Sequence, residues 1–269
     1  MAAALQLTST SNVEANFSAA EEQIELASRR GAELVGLPEN FAFIGEDQQR
    51  LDISSTLAEK CSRFLVTMAR RYQIFLLGGG FPVPAGDGQR TLNRAELVGR
   101  NGELLGRYDK IHLFDVDLPD GNKYRESETI VSGKELPPVI NIPDLCSVGL
   151  SICYDVRFPE LYRYLVAQGA DLLMIPAAFT AFTGKDHWQV LLQARSIENT
   201  AYVLAPAQTG VHYRRRQSHG HALVIDPWGT VLADAGVHPG AAIAPVDTSR
   251  VDRIRGQMPS IKHRKQELF

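Results

Sequence analysis

The sequence predicts an α/β fold in a single domain, and three observations point there. Short apolar runs alternate with amphipathic stretches from one end of the 269-residue chain to the other. No Pro/Gly/Ser-rich or charged linker interrupts that alternation, so no boundary divides residues 1–269. A strand-then-proline pattern occurs twice, at Ala32-Glu33-Leu34-Val35-Gly36-Leu37-Pro38 and at Ala170-Asp171-Leu172-Leu173-Met174-Ile175-Pro176. The layout implies two β-rich halves, each covered by helices.

The elements follow in order. Ala3–Leu7 reads as a strand, and Ser11-Asn12-Val13-Glu14 has capping-box form. The helix behind it carries Phe17, Ala20, Ile24 and Ala27 on one face and stops at Gly31. Residues 33–37 form a strand that runs into Pro38-Glu39-Asn40-Phe41. A second helix aligns Leu57, Cys61, Phe64, Leu65, Met68 and Tyr72, which makes Cys61 a core residue. Residues 74–77 are another strand. Gly78-Gly79-Gly80 is not a phosphate loop, because neither a helix nor Lys-Ser/Thr follows. Residues 92–98 and 104–108 pair across Arg100-Asn101-Gly102 as a hairpin. Residues 115–138 are Asp-, Gly- and Pro-rich and read as a long ordered loop.

The apolar run Val148-Gly149-Leu150-Ser151-Ile152 is a buried strand that ends on Cys153. Phe158-Pro159-Glu160 opens a helix, with proline at a first helical position, and Gly169 closes it. A further helix is expected from about Lys185 to Thr200, then a strand over 202–206. Residues 220–226 and 230–234 pair across Pro227-Trp228-Gly229. Residues 241–247 form the last strand, before a basic C-terminal segment.

Composition narrows the function classes. Hydrophobic residues make up 44% and charged residues 22%, enough for a sizeable core. A net charge of −3 offers no electrostatic footing for nucleic acid. No apolar run approaches the ~20 residues of a membrane span, and no basic n-region or cleavage signal opens the chain. The three cysteines, at 61, 146 and 153, have neither metal-ligand spacing nor an even count. His219 and His221 lack a third ligand, so no metal site is expected. These features suggest a cytoplasmic protein in a reducing compartment.

Three reactive side chains lie just past predicted strand ends: Glu39, Lys110 and Cys153. Strand ends on one edge of a sheet are where α/β proteins assemble sites. Together the three supply the roles of acyl transfer through sulfur. Amide dipoles at a helix N-terminus favour a thiolate at Cys153. Glu39 can exchange protons, given a pKa raised by burial near Phe41 and Phe43. Lys110 can lower the thiol pKa and hold an oxyanion, and the backbone N–H of Tyr154 is a second donor. A Cys-His-Asp hydrolase using His112 or His187 as base is the rival, but it leaves Glu39 and Lys110 unexplained.

Leu37-Pro38-Glu39-Asn40-Phe41, Tyr108-Asp109-Lys110-Ile111-His112-Leu113 and Ser151-Ile152-Cys153-Tyr154-Asp155-Val156-Arg157-Phe158-Pro159-Glu160 resemble the three signature blocks of the nitrilase (carbon–nitrogen hydrolase) superfamily. The resemblance covers essentially the whole chain. It implies an α-β-β-α sandwich, a Glu-Lys-Cys triad, no cofactor and a homodimer. On that match Glu39 is the general base, Lys110 the oxyanion-stabilising cation and Cys153 the nucleophile. A second glutamate would be Glu126, orienting Lys110 and substrate, with Glu128 the alternative.

Residues 38–44, Phe182-Thr183-Gly184-Lys185-Asp186-His187-Trp188, Ala207-Gln208-Thr209-Gly210 and His219-Gly220-His221 with 226–230 are most similar to the deaminated-glutathione amidase branch. Asn40 stands where that branch leads one to expect a small residue. Arg157 could meet a substrate carboxylate or pair with Asp155 or Glu160. Phe179 and Thr180 are expected to line the pocket. Tyr213-Arg214-Arg215-Arg216 is a basic turn that could attract an anionic substrate tail. The expected reaction is hydrolysis of a linear amide, by resemblance deaminated glutathione. An ω-amidase acting on 2-oxoglutaramate or a nitrilase acting on small nitriles is the alternative.

Overall fold

The computed structural model describes residues 1–214 and 216–265. In chain order the elements are β1 (Ala2–Leu7), α1 (Val13–Arg29), β2 (Leu34–Gly36), α2 (Asp47–Tyr72), β3 (Phe75–Pro84), β4 (Thr91–Val98) and β5 (Leu104–Asp109). There follow β6 (Asp115–Asp117), β7 (Lys123–Arg125), β8 (Val139–Ile142), β9 (Cys146–Leu150), α3 (Pro159–Ala167), β10 (Leu172–Met174), α4 (Ala181–Asn199) and β11 (Tyr202–Ala205). The chain finishes with β12 (Ala207–Tyr213), β13 (Arg216–His219), β14 (Leu223–Ile225), β15 (Val231–Asp234), β16 (Gly240–Ala244) and α5 (Thr248–Gln257).

Two sheets carry this chain. One has eight strands in the order β13-β12-β1-β2-β3-β4-β5, with β16 also paired to β1; the other has six, β15-β14-β11-β10-β9-β8. The middle strands are parallel in both: β1-β2-β3, and β9-β10-β11. Parallel neighbours need crossover helices, and α1 to α4 supply them. Leu34, Leu77, Ala95 and Leu97 of the first sheet share one core with Val148, Leu150, Leu172 and Val203 of the second. Ala20, Ile24, Leu57, Cys61 and Leu65 pack on the outer face of the first sheet, while α3 and α4 cover the second. The architecture is the α-β-β-α sandwich, and burial at each of the three interfaces holds its layers together.

Several boundaries move from their expected places, each for a local reason. Asn12, not Ser11, caps α1, its side chain accepting the Ala15 N–H at 3.1 Å. α4 begins at Ala181 because the Thr180 hydroxyl caps Thr183, four residues before the expected Lys185. Residues 115–138 hold the β6–β7 hairpin and a 3₁₀ turn at Glu126–Glu128. The C-terminal basic segment includes α5, whose Val251 and Ile254 are buried. Of the Tyr213–Arg216 turn, Arg215 lies outside the described residues.

The glycines at 78–80 lie in β3 rather than in a loop. A Cβ on Gly79 would stand 1.9 Å from the Leu37 carbonyl oxygen and 2.4 Å from Pro176. One on Gly80, at φ +113°, would meet Asn93 at 2.7 Å and Glu39 at 3.3 Å. These positions let the two sheets close where the reactive strand ends meet.

Candidate active site

Each reactive residue owes its position to a strand exit. The chain leaves β2 through Leu37-Pro38-Glu39 and turns at Asn40, which adopts φ 58°. Asparagine tolerates that left-handed conformation better than most residues, and its N–H donates to the Gly80 carbonyl at 2.7 Å. Across the sandwich the chain leaves β9 through Ser151-Ile152 and turns on Cys153 itself, at φ 50°. A cysteine in this region is strained by about 1–3 kcal/mol. The strain is held by the Cys153 N–H to the Pro176 carbonyl (2.8 Å) and by buried Asp155. Asp155 accepts the Ile152 N–H at 2.8 Å and the Tyr108 hydroxyl at 2.9 Å, and lies 2.7 Å from His112 Nδ1. Lys110 follows β5, its N–H bonded to the Asn93 carbonyl at 2.9 Å.

Glu39, Lys110 and Cys153 are 3%, 2% and 9% exposed and line one cavity of about 170 Å³. Glu39 Oε1 accepts from Lys110 Nζ at 3.1 Å and from Asn93 Nδ2 at 2.8 Å. Its Oε2 accepts the Ala178 N–H at 2.9 Å. Glu126 holds Lys110 Nζ with both oxygens at 2.9 Å and also accepts the Phe114 N–H at 2.7 Å. Geometry separates the two candidate glutamates: Glu126 meets the ammonium, whereas Glu128 is exposed.

The protonation states differ from the expectation drawn from sequence. Burial alone would raise the Glu39 pKa, but the Lys110 charge and hydrogen bonds from Cys153, Ala178 and Lys110 outweigh it, so the carboxyl is held below its ordinary range. Burial pushes the Cys153 thiol well above its ordinary range, and the facing Glu39 charge adds to this. For Lys110 burial works against the charge, but Glu126 and Glu39 more than compensate and keep it protonated. The resting site is therefore a neutral thiol facing an ionised acid, with an ammonium between two carboxylates. It is not a preformed thiolate facing a raised acid.

Tyr154, Phe179 and Thr180 line the same cavity. Arg157 does not. Its guanidinium lies over the rings of Tyr154 and Phe179, at 5.8 and 5.2 Å, and 3.4 Å from His187 Nδ1. Among the described residues it pairs with neither Asp155 nor Glu160. His112 stacks on Phe158 at 3.6 Å, and neither it nor His187 reaches the cavity wall, which removes the histidine-base alternative. Cys61 and Cys146 are buried packing residues.

Sequence reasoning missed Asn93 and the Ala178 N–H. Asn93 sits inside β4 with no local signal, and a backbone amide is present at every non-proline position. Only the β3–β4 register brings Asn93 to Glu39.

A family model described as carbon-nitrogen hydrolase matches residues 1–256. The chain is 59% identical to a deaminated glutathione amidase of Synechocystis sp. over 98% of this chain and 97% of that one. It superposes on the C. elegans NitFhit protein with a TM-score of 0.94 at 40% identity, covering all of this chain and 65% of that one. A mutant amidase from Nesterenkonia sp. AN1 matches with a TM-score of 0.83 at 27% identity, over 99% of this chain and 94% of that one; it shows covalent addition of the acetamide moiety of fluoroacetamide at the active-site cysteine.

Proposed function

This chain belongs to the carbon–nitrogen hydrolase family, a hydrolase of non-peptide C–N bonds, and from that premise we propose that it cleaves a linear amide through a Cys153 thioester. The observation that carries this reading is the burial of Glu39, Lys110 and Cys153 in one cavity, in contact through Glu39. Glu39 takes the Cys153 proton as sulfur attacks the amide carbonyl. Lys110 Nζ and the Tyr154 N–H hold the oxyanion. The C–N bond breaks as Glu39 passes its proton to the departing nitrogen. Glu39 then takes a proton from water, whose oxygen attacks the thioester; the acid leaves, and the proton returns to sulfur. Glu126 keeps Lys110 aimed at the carbonyl. Tyr154, Phe179 and Thr180 wall the acyl group, and Arg157 supports the two rings through cation–π contact.

Deaminated glutathione is the substrate this reading favours, on the strength of the 59% identical relative of that name. Its hydrolysis gives 2-oxoglutarate and cysteinylglycine. The three cysteines are unpaired in the structure, as a reducing cytoplasmic setting would leave them, and no described helix is long and apolar enough to cross a membrane. A homodimer is the proposed assembly, on the strength of the family resemblance.

The test is kcat/KM measured side by side on deaminated glutathione, 2-oxoglutaramate and a small nitrile. Preference for the first is expected. Preference for 2-oxoglutaramate with ammonia release would make the enzyme an ω-amidase, and turnover of the nitrile alone would contradict amide hydrolysis.

A further inference from the structure

The cavity carries positive charge that the catalytic steps do not use. Arg50, at the end of the first turn of α2, and Arg216, the first residue of β13, both line it. The Arg50 side chain is 12% exposed. One of its terminal nitrogens meets Asp47 at 3.2 Å and also Thr129. Its Nε–H is buried with no acceptor among the described residues. Burial and then the nearby Arg216 charge lower the proton affinity of Arg50, partly offset by Asp47. Among the described residues Arg216 has no ion-pair partner. The acid of the neighbouring segment, Glu46, is taken by Arg214 and Tyr213.

Two guanidinium groups lining one cavity repel each other unless an anion lies between them. They fit a planar anion, which accepts from the Arg216 fork and from the remaining terminal nitrogen of Arg50. Their location indicates which part of a substrate would bring it. Glu39 gives its proton to the departing nitrogen, so the amine leaves along the wall beside Glu39 and Asn40. Asn40, Asp47 and Arg50 line the cavity together with Glu39, and the contacts of Arg214 and Tyr213 with Glu46 bring Arg216 to the same wall.

We propose that Arg50 and Arg216 form a carboxylate subsite on the leaving-amine side, selecting amides whose departing amine carries its own carboxylate, as an amino acid or dipeptide does. The proposal rests on the amide-hydrolase reading and specifies the leaving group.

The experiment compares deaminated glutathione with its analogue in which the glycine carboxylate is a carboxamide, using wild type, Arg216→Gln and Arg50→Lys. Amidation is expected to cost wild type about 10- to 100-fold in kcat/KM, mostly in KM, the usual worth of a charge-assisted hydrogen-bond pair. In Arg216→Gln that cost should shrink to about threefold or less. Arg50→Lys, which keeps the charge but loses the fork, should fall between. Each protein is its own reference, so loss of folded fraction cancels. Equal sensitivity in all three proteins overturns the subsite while leaving amide hydrolysis standing. Absence of turnover on both compounds and on 2-oxoglutaramate overturns both.

Discussion

The two strand exits that build the site resemble each other in backbone and differ in what they do to a proton. At the end of β2 the left-handed residue is Asn40, and Glu39 precedes it. At the end of β9 the left-handed residue is Cys153 itself. Three donors of fixed position, on Lys110, Asn93 and Ala178, surround the Glu39 carboxylate. The thiol has burial and a facing negative charge. Donors stabilise the ionised form and desolvation penalises it, so one exit holds an ionised carboxylate and the other a protonated thiol. The lesson is that burial to a similar degree does not set a protonation state; the hydrogen bonds that accompany it do.

Removing the two ends of that proton path should cost most. Cys153→Ala should lower kcat by roughly 10⁴-fold or more while the fold persists, measured by steady-state hydrolysis beside circular dichroism. Glu39→Gln should cost about 10³-fold, and substrate should then trap as an acyl adduct on Cys153 by mass spectrometry. Adduct on any other residue would separate the two exits from the chemistry.

Lys110→Met should cost about 10²–10³-fold in kcat. It leaves Glu39 and Glu126 buried without their cation, so denaturant unfolding should also lose about 3–5 kcal/mol. Gly79→Ala, which leaves the reactive side chains in place but puts a Cβ against the Leu37 carbonyl at the β2 exit, should cost about 3 kcal/mol. If Gly79→Ala proves neutral, the close approach of the two sheets is not what holds the exits together.

The smallest effect is one of pH. Glu39 has a folded pKa below its ordinary value of 4.5. Its charged form is favoured by folding, so both base function and its stabilisation are present above 4.5 and are lost as pH falls through the lower folded value. The acid limb of kcat/KM should accordingly have its midpoint below 4.5. A midpoint near neutrality would place the base elsewhere.

Much of this site was legible in the chain. Three reactive residues each lie just past a predicted strand end, and strand ends gather on one edge of a sheet, so a shared site could be expected from the chain. Two β-rich halves covered by helices could be read from the alternation of strands and helices; their stacking as a sandwich was implied by the family resemblance. The protonation pattern could not, because it depends on Asn93 and the Ala178 amide, which reach Glu39 only through tertiary register. Nor could the part played by Arg50, an ordinary helix arginine until α2 turns it toward the cavity. The glycines at 78–80 lie inside β3, and their purpose could be seen only with the facing Leu37 and Pro176 in place.

The most direct test of the central claim is a titration of the Cys153 thiol by ultraviolet thiolate absorbance, taken as the difference between wild type and Cys153→Ser and repeated in Glu39→Gln. The account predicts a neutral thiol across the neutral range with a midpoint above the ordinary 9.0 in wild type, moving down when Glu39 loses its charge. A wild-type thiolate already formed at neutral pH, unmoved by Glu39→Gln, would contradict it.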